Sequence, residues 1–148
     1  AQYAVDKHGT LAKEALAPIK KEPYKGALIC TDELVTRAEI EYAVRKLKAY
    51  FINDIRRRTR VGMGSCQGGT CSHKIAAILV EEFGRDPFEV HSDLLSFLKI
   101  RWLGTRMVAF GEQLRQVKLN EALYACLGNY DKLGKQLPFS MPVFGEAP

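Results

Sequence analysis

Gly62-Met63-Gly64-Ser65-Cys66-Gln67-Gly68-Gly69-Thr70-Cys71 lies between a basic segment and an apolar one, and its reading sets that of the whole chain. Glycine at 62, 64, 68 and 69 permits left-handed backbone and close chain approach, so the stretch reads as a tight loop. Downstream, Ile75, Ile78, Leu79 and Phe83 recur at helical spacing, which predicts a helix from about Cys71 to Phe83. Gly84 stops that helix and Asp86-Pro87 marks the turn after it. Upstream, Asn53 is placed to cap a short helix through Asp54 to Arg58. Before that, Thr36 and Glu39 stand at capping-box spacing and predict a helix running to about Tyr50. Its apolar stripe is Ile40, Ala43, Val44, Leu47 and Phe51.

Beyond Pro87 the pattern changes to a second helical block. Leu94, Leu95, Leu98 and Trp102 form one amphipathic helix, expected to break at Gly104, and a last helix is expected from Glu112 to Leu127. No run of four or more residues alternates convincingly with period two, so the expected class is all-α: a small helical lobe followed by a second helical lobe. Before residue 30 only a short helix around Thr10 to Leu16 is expected, because Pro18 and Pro23 interrupt anything longer. The tail, with Pro138, Pro142 and Pro148, reads as loose.

The chain has 148 residues, 47% of them hydrophobic and 26% charged, enough for a real core without metal or disulfide support. No stretch approaches the roughly 20 apolar residues that span a bilayer, and the first residues lack the order of a secretory signal. The expected location is therefore intracellular. The chain begins without methionine, in a polar segment, and reads as a piece of a longer protein.

Chemistry concentrates in one donor set. Cys66 and Cys71 close the glycine loop, and Cys30 and Asp32 lie upstream, offering three thiolates and one carboxylate. Two pairs of donors from separated loops suit a two-iron, two-sulfur centre, and zinc accepts the same set in tetrahedral geometry; spacing alone does not choose. Cys126, in Leu123-Tyr124-Ala125-Cys126-Leu127, reads as a plain buried thiol. His73 is expected to point away from the face of Cys71, and His8 and His91 have no nucleophile pattern around them. The glycines form no P-loop, because the lysine-serine/threonine end and the preceding strand are missing.

The net charge is +5, with Arg45, Lys46, Lys48, Arg56, Arg57, Arg58 and Arg60 set against Asp54 alone. That run reads first as a solvated helix face and second as charge support for an anionic centre or an interface. No aromatic-interleaved strand or recognition helix accompanies it, so nucleic acid is not an expected partner.

Arg56-Arg57-Arg58-Thr59-Arg60-Val61-Gly62-Met63-Gly64-Ser65-Cys66-Gln67-Gly68 followed by Cys71 resembles the bacterioferritin-associated-ferredoxin-like domain, a small helical [2Fe-2S] module. The stretch from about Leu28 to Tyr130 is similar to the C-terminal region of the large subunit of anaerobic glycerol-3-phosphate dehydrogenases, with support from Phe97-Leu98-Lys99-Ile100-Arg101-Trp102-Leu103-Gly104 and Ala109-Phe110-Gly111-Glu112-Gln113-Leu114. In the family phrase of cysteine-x-cysteine-glutamate, then valine-threonine, the first cysteine falls on Cys30, the second on Asp32, and the rest on Glu33 and Val35-Thr36. The resemblance implies a [2Fe-2S] cluster on Cys30, Asp32, Cys66 and Cys71, with an aspartate in place of a family cysteine and with Arg58 and Arg60 as nearby charges.

It further implies the following division. Residues 1–27 are a linker or tail of a missing FAD domain, 28–85 the ferredoxin-like helical domain, 86–130 a C-terminal helical lobe and 131–148 a flexible tail. The implied function is accessory electron transfer within an FAD-dependent sn-glycerol-3-phosphate dehydrogenase, from flavin toward a quinone-linked acceptor. The implied partners are the FAD-binding domain of the parent chain and membrane-associated electron-transfer subunits, at the inner face of the cell membrane. The alternative is a structural or subunit-interface module, with zinc or without metal. No residue of this chain is expected to be catalytic.

Overall fold

The computed structural model describes residues 6–128. In chain order these form α1 (Ala12–Leu16), β1 (Leu28–Cys30), β2 (Val35–Thr36), α2 (Arg37–Arg45), α3 (Ile52–Thr59), α4 (Cys71–Phe83), α5 (Pro87–Arg106) and α6 (Glu112–Gly128), with short 3-10 turns flanking α1 and preceding β1. The chain is predominantly helical, as its hydrophobic spacing predicts. Contacts divide it into two compact units, residues 1–99 and 100–148.

α2 begins where the capping box places it. The Glu39 amide donates to Thr36 Oγ1 at 3.4 Å and the Thr36 amide to Glu39 Oε2 at 2.6 Å, satisfying two first-turn donors. It ends at Arg45, five residues before the expected end. Lys48 adopts a left-handed φ of 55°, and the Ala49 amide turns back to the Ala43 carbonyl at 3.1 Å, carrying Ala49 into the core.

α3 begins at Ile52, ahead of the expected Asn53 cap. Its cap comes from α5: Asp93 Oδ2 accepts from the Ile52 amide at 2.7 Å, across 41 residues of sequence. α4 matches the predicted Cys71–Phe83 span, and Gly84 ends it at a φ of 60°. Gly104 does not break α5, which continues to Arg106; one helical glycine costs only about 1 kcal/mol against alanine, too little to stop a long helix.

A two-stranded antiparallel ladder, not anticipated from the sequence, pairs Leu28 with Thr36 and Cys30 with Val35. Strands of three and two residues are too short to display alternation.

The core of the first unit joins Val35, Ile40 and Val44 with Ile52 and Ile55, Ile75 and Leu79 from α4, and Leu94, Phe97 and Leu98 from α5. The N-terminal segment is folded onto α2. Ala12 and Ala15 are buried, Tyr42 Oη donates to Glu14 at 3.0 Å, and Lys7 and His8 both meet the buried carboxylate of Glu39.

In the second unit, the end of α5 and α6 are joined by a turn in which Gly111 takes a φ of 55° and Met107, Val108 and Phe110 are exposed. The side chains of Trp102 and Cys126, and the tail from residue 129, lie outside the described residues. No helix among the described residues is long and apolar enough to cross a membrane.

Candidate metal centre

The β1–β2 ladder bends the chain sharply through residues 31–34, with Leu34 at a φ of 48°, and this turn carries Asp32 outward just after the buried Cys30. Two cations hold the turn at Glu33. Lys7 Nζ donates to its carbonyl at 3.1 Å, and Arg60 Nε to its carboxylate at 3.0 Å. The N-terminal segment and the end of α3 therefore both anchor the upstream donors.

The glycine loop closes against the turn. The Cys66 amide donates to Asp32 Oδ2 at 3.1 Å and Ser65 Oγ to the same oxygen at 3.3 Å. A methyl group at Gly64 would stand 2.6 Å from that oxygen, so only glycine lets the loop approach so closely. Beneath the loop, Gly62 and Gly68 lie back to back with φ of 72° and 84°, and a Cβ on Gly68 would sit 2.7 Å from the Phe97 ring. Phe97, 1% exposed on α5, is the floor of the loop. His73 Nδ1 donates to the Gly69 carbonyl at 3.1 Å, so this histidine holds the loop.

The four sequence-predicted donors thus converge across 34 to 41 residues of chain. Cys71 and Cys30 are both buried, and burial, followed by the proximity of the Cys30 and Cys66 sulfurs, pushes the Cys71 thiol up to about 12. Asp32 and Cys66 are exposed. Hydrogen bonds from the Cys66 amide, the Cys66 thiol and the Ser65 hydroxyl hold the Asp32 carboxyl below its ordinary range, against a smaller desolvation.

Among the described residues no three His, Cys, Asp or Glu side chains gather as a group that could hold one metal ion. The donors interact mainly as two pairs, Cys30 with Cys71 and Asp32 with Cys66. A [2Fe-2S] centre needs two protein donors at each iron, so paired donors suit it better than they suit a mononuclear tetrahedral site. The buried Ser72 hydroxyl beside Cys71 has no hydrogen-bond partner, which leaves a spare donor at this end of α4. The residues fit such a centre.

Arg60 stands at the turn, while Arg58 lines a cavity of about 200 Å³ with Lys7, His8, Glu39 and Tyr42. The sequence offered no signal for the roles of Ser65, His73 or Phe97 in shaping the loop.

Residues 28–81 match the BFD-like [2Fe-2S] binding domain. The chain is 34% identical over 122 residues to a subunit of the anaerobic glycerol-3-phosphate dehydrogenase of Haemophilus influenzae, covering 82% of this chain and 21% of that protein. Against the protein of the same name from Escherichia coli K12 the identity is 37% over 106 residues, 72% of this chain and 20% of that one. A further anaerobic glycerol-3-phosphate dehydrogenase polypeptide, from Haloferax volcanii, is 36% identical over 124 residues, 84% and 20% respectively. The chain spans about a fifth of the length of these curated relatives. No solved structure gives a significant match.

Proposed function

We propose that this chain is the accessory electron-transfer domain of an FAD-dependent sn-glycerol-3-phosphate dehydrogenase, relaying electrons from flavin toward a quinone-linked acceptor. The observation that carries the reading is the convergence of Cys30 and Asp32 with Cys66 and Cys71, two pairs from distant segments. The domain family and the dehydrogenase relatives support it. A [2Fe-2S] centre bound there supplies one-electron transfer.

Cys30, Asp32, Cys66 and Cys71 are the residues that would hold it. Their protein surroundings do the rest: the glycine loop brings backbone against the donors, Phe97 and the β1–β2 ladder keep water from Cys30 and Cys71, and Arg60 adds positive charge at the turn. The carboxylate of Asp32 is a harder donor than thiolate, so iron is held more loosely than by four cysteines.

The FAD-binding portion belongs to the remainder of the parent chain, and membrane-associated subunits take the electrons onward. The parent enzyme sits in the cytoplasm, peripheral on the inner face of the membrane. This chain alone does not oxidise sn-glycerol 3-phosphate.

Anaerobic reconstitution with iron and sulfide tests the reading. Two irons and two sulfides per chain, with a two-iron paramagnetic signal after reduction, are expected. One zinc per chain, or no metal in a chain that stays folded, would overturn it in favour of a structural or subunit-interface module. Asp32→Cys is expected to slow iron loss; unchanged retention would place residue 32 outside the donor set.

A further inference from the structure

We propose that Ser65 and the Cys66 amide are positioning groups that make Asp32 a one-oxygen donor, leaving Oδ1 for the metal. The inference rests on the assignment of Asp32 to the donor set. Both donors fall on the same atom: the amide at 3.1 Å and the Ser65 hydroxyl at 3.3 Å each reach Oδ2. Neither of these two bonds uses Oδ1, and the Cys66 thiol, the third group on the carboxylate, gives up its proton when it binds metal. Asp32 is also the hydrogen-bond partner the structure gives the exposed Ser65 side chain.

A carboxylate differs from the thiolate it replaces in having two equivalent oxygens, so it can attach through either or through both. Two-oxygen attachment adds a fifth donor to a metal that favours four in iron–sulfur chemistry. Occupying Oδ2 with two protons from the loop removes that choice and returns Asp32 to the single-atom role of a cysteine sulfur. Gly64 is part of the same device. Any side chain there would meet Oδ2 at 2.6 Å and push the carboxylate off the loop.

The device is tested on the chain reconstituted with iron and sulfide, comparing wild type, Ser65→Ala and Ser65→Thr, each also in an Asp32→Cys background. The readouts are the rate of iron release to a chelator, the g values of the reduced centre and its midpoint potential. Loss of one hydrogen bond to an exposed charged group is expected to speed release about five-fold and to shift the g values. Ser65→Thr, which keeps the hydroxyl, is expected to match wild type. In the Asp32→Cys background Ser65→Ala is expected to change nothing, the non-additivity that marks a direct coupling.

If Ser65→Ala releases iron and resonates as wild type does, or if its effect persists in the Asp32→Cys background, the positioning role is overturned while the donor assignment stands. A wild-type chain that takes up no two-iron centre overturns both.

Discussion

The two halves of the donor set meet different solvents. Cys30 and Cys71 are 2% and 3% exposed, and burial disfavours the Cys71 thiolate. Asp32 and Cys66 are open to water, and Asp32 is already an anion satisfied by loop donors. The buried half is shielded from solvent, whereas the exposed half is accessible and carries the Asp32 charge. Cys30 and Cys71 are thus an inner pair set by burial, and Asp32 and Cys66 an outer pair open to solvent.

The contrast depends most on Phe97. Phe97→Ala removes the floor beneath Gly62 and Gly68 and is expected to cost about 3–5 kcal/mol, read as a lower urea midpoint with the slope unchanged. A loss below about 1 kcal/mol would show that the loop is supported from elsewhere.

Next in size is thiol reactivity in the metal-free chain. At pH 7.5 an alkylating reagent is expected to label Cys66 about a hundred-fold faster than Cys71, followed by mass spectrometry of the digested chain. Equal rates would erase the distinction between inner and outer pairs. Gly64→Ala, which sets a methyl against Asp32, is expected to cost roughly 1–3 kcal/mol and to free the loop from the turn, seen as loss of hydrogen-exchange protection at the Cys66 amide.

Asp93→Ala should cost about 1 kcal/mol, the ordinary value of a helix cap, with fraying confined to the start of α3. A further effect is on pH dependence. The folded chain keeps the Cys71 proton up to about 12, against an ordinary 9.0, so between these values the folded form binds more protons than the unfolded one. This contribution to stability is full below pH 9 and is lost as pH rises toward 12. Melting temperatures of the metal-free chain against a Cys71→Ser control should show the decline only when Cys71 is present.

Local signals were readable and distant ones were not. The Thr36–Glu39 box and the Cys71–Phe83 helix with its Gly84 stop each depend on residues within a few positions of one another, and the structure matches both. The early end of α2, the capping of α3 by Asp93 and the persistence of α5 through Gly104 are decided by tertiary packing or by the modest cost of one glycine, and neither has a local signature.

Cys30, Cys66 and Cys71 stood out in the sequence because soft ligands are rare in this chain. The pairing of the donors did not, since each pair spans more than 30 residues and is set by a ladder too short to recognise. The N-terminal anchors behave alike: nothing around Lys7 and His8 announces Glu39 as their partner.

The aspartate that caps α3 and the phenyl ring under the loop both come from α5, beyond the 28–81 segment that carries the family resemblance. A polypeptide trimmed to that segment would keep every metal donor while losing the cap and the floor. A unit that keeps these two contacts therefore extends through Leu98.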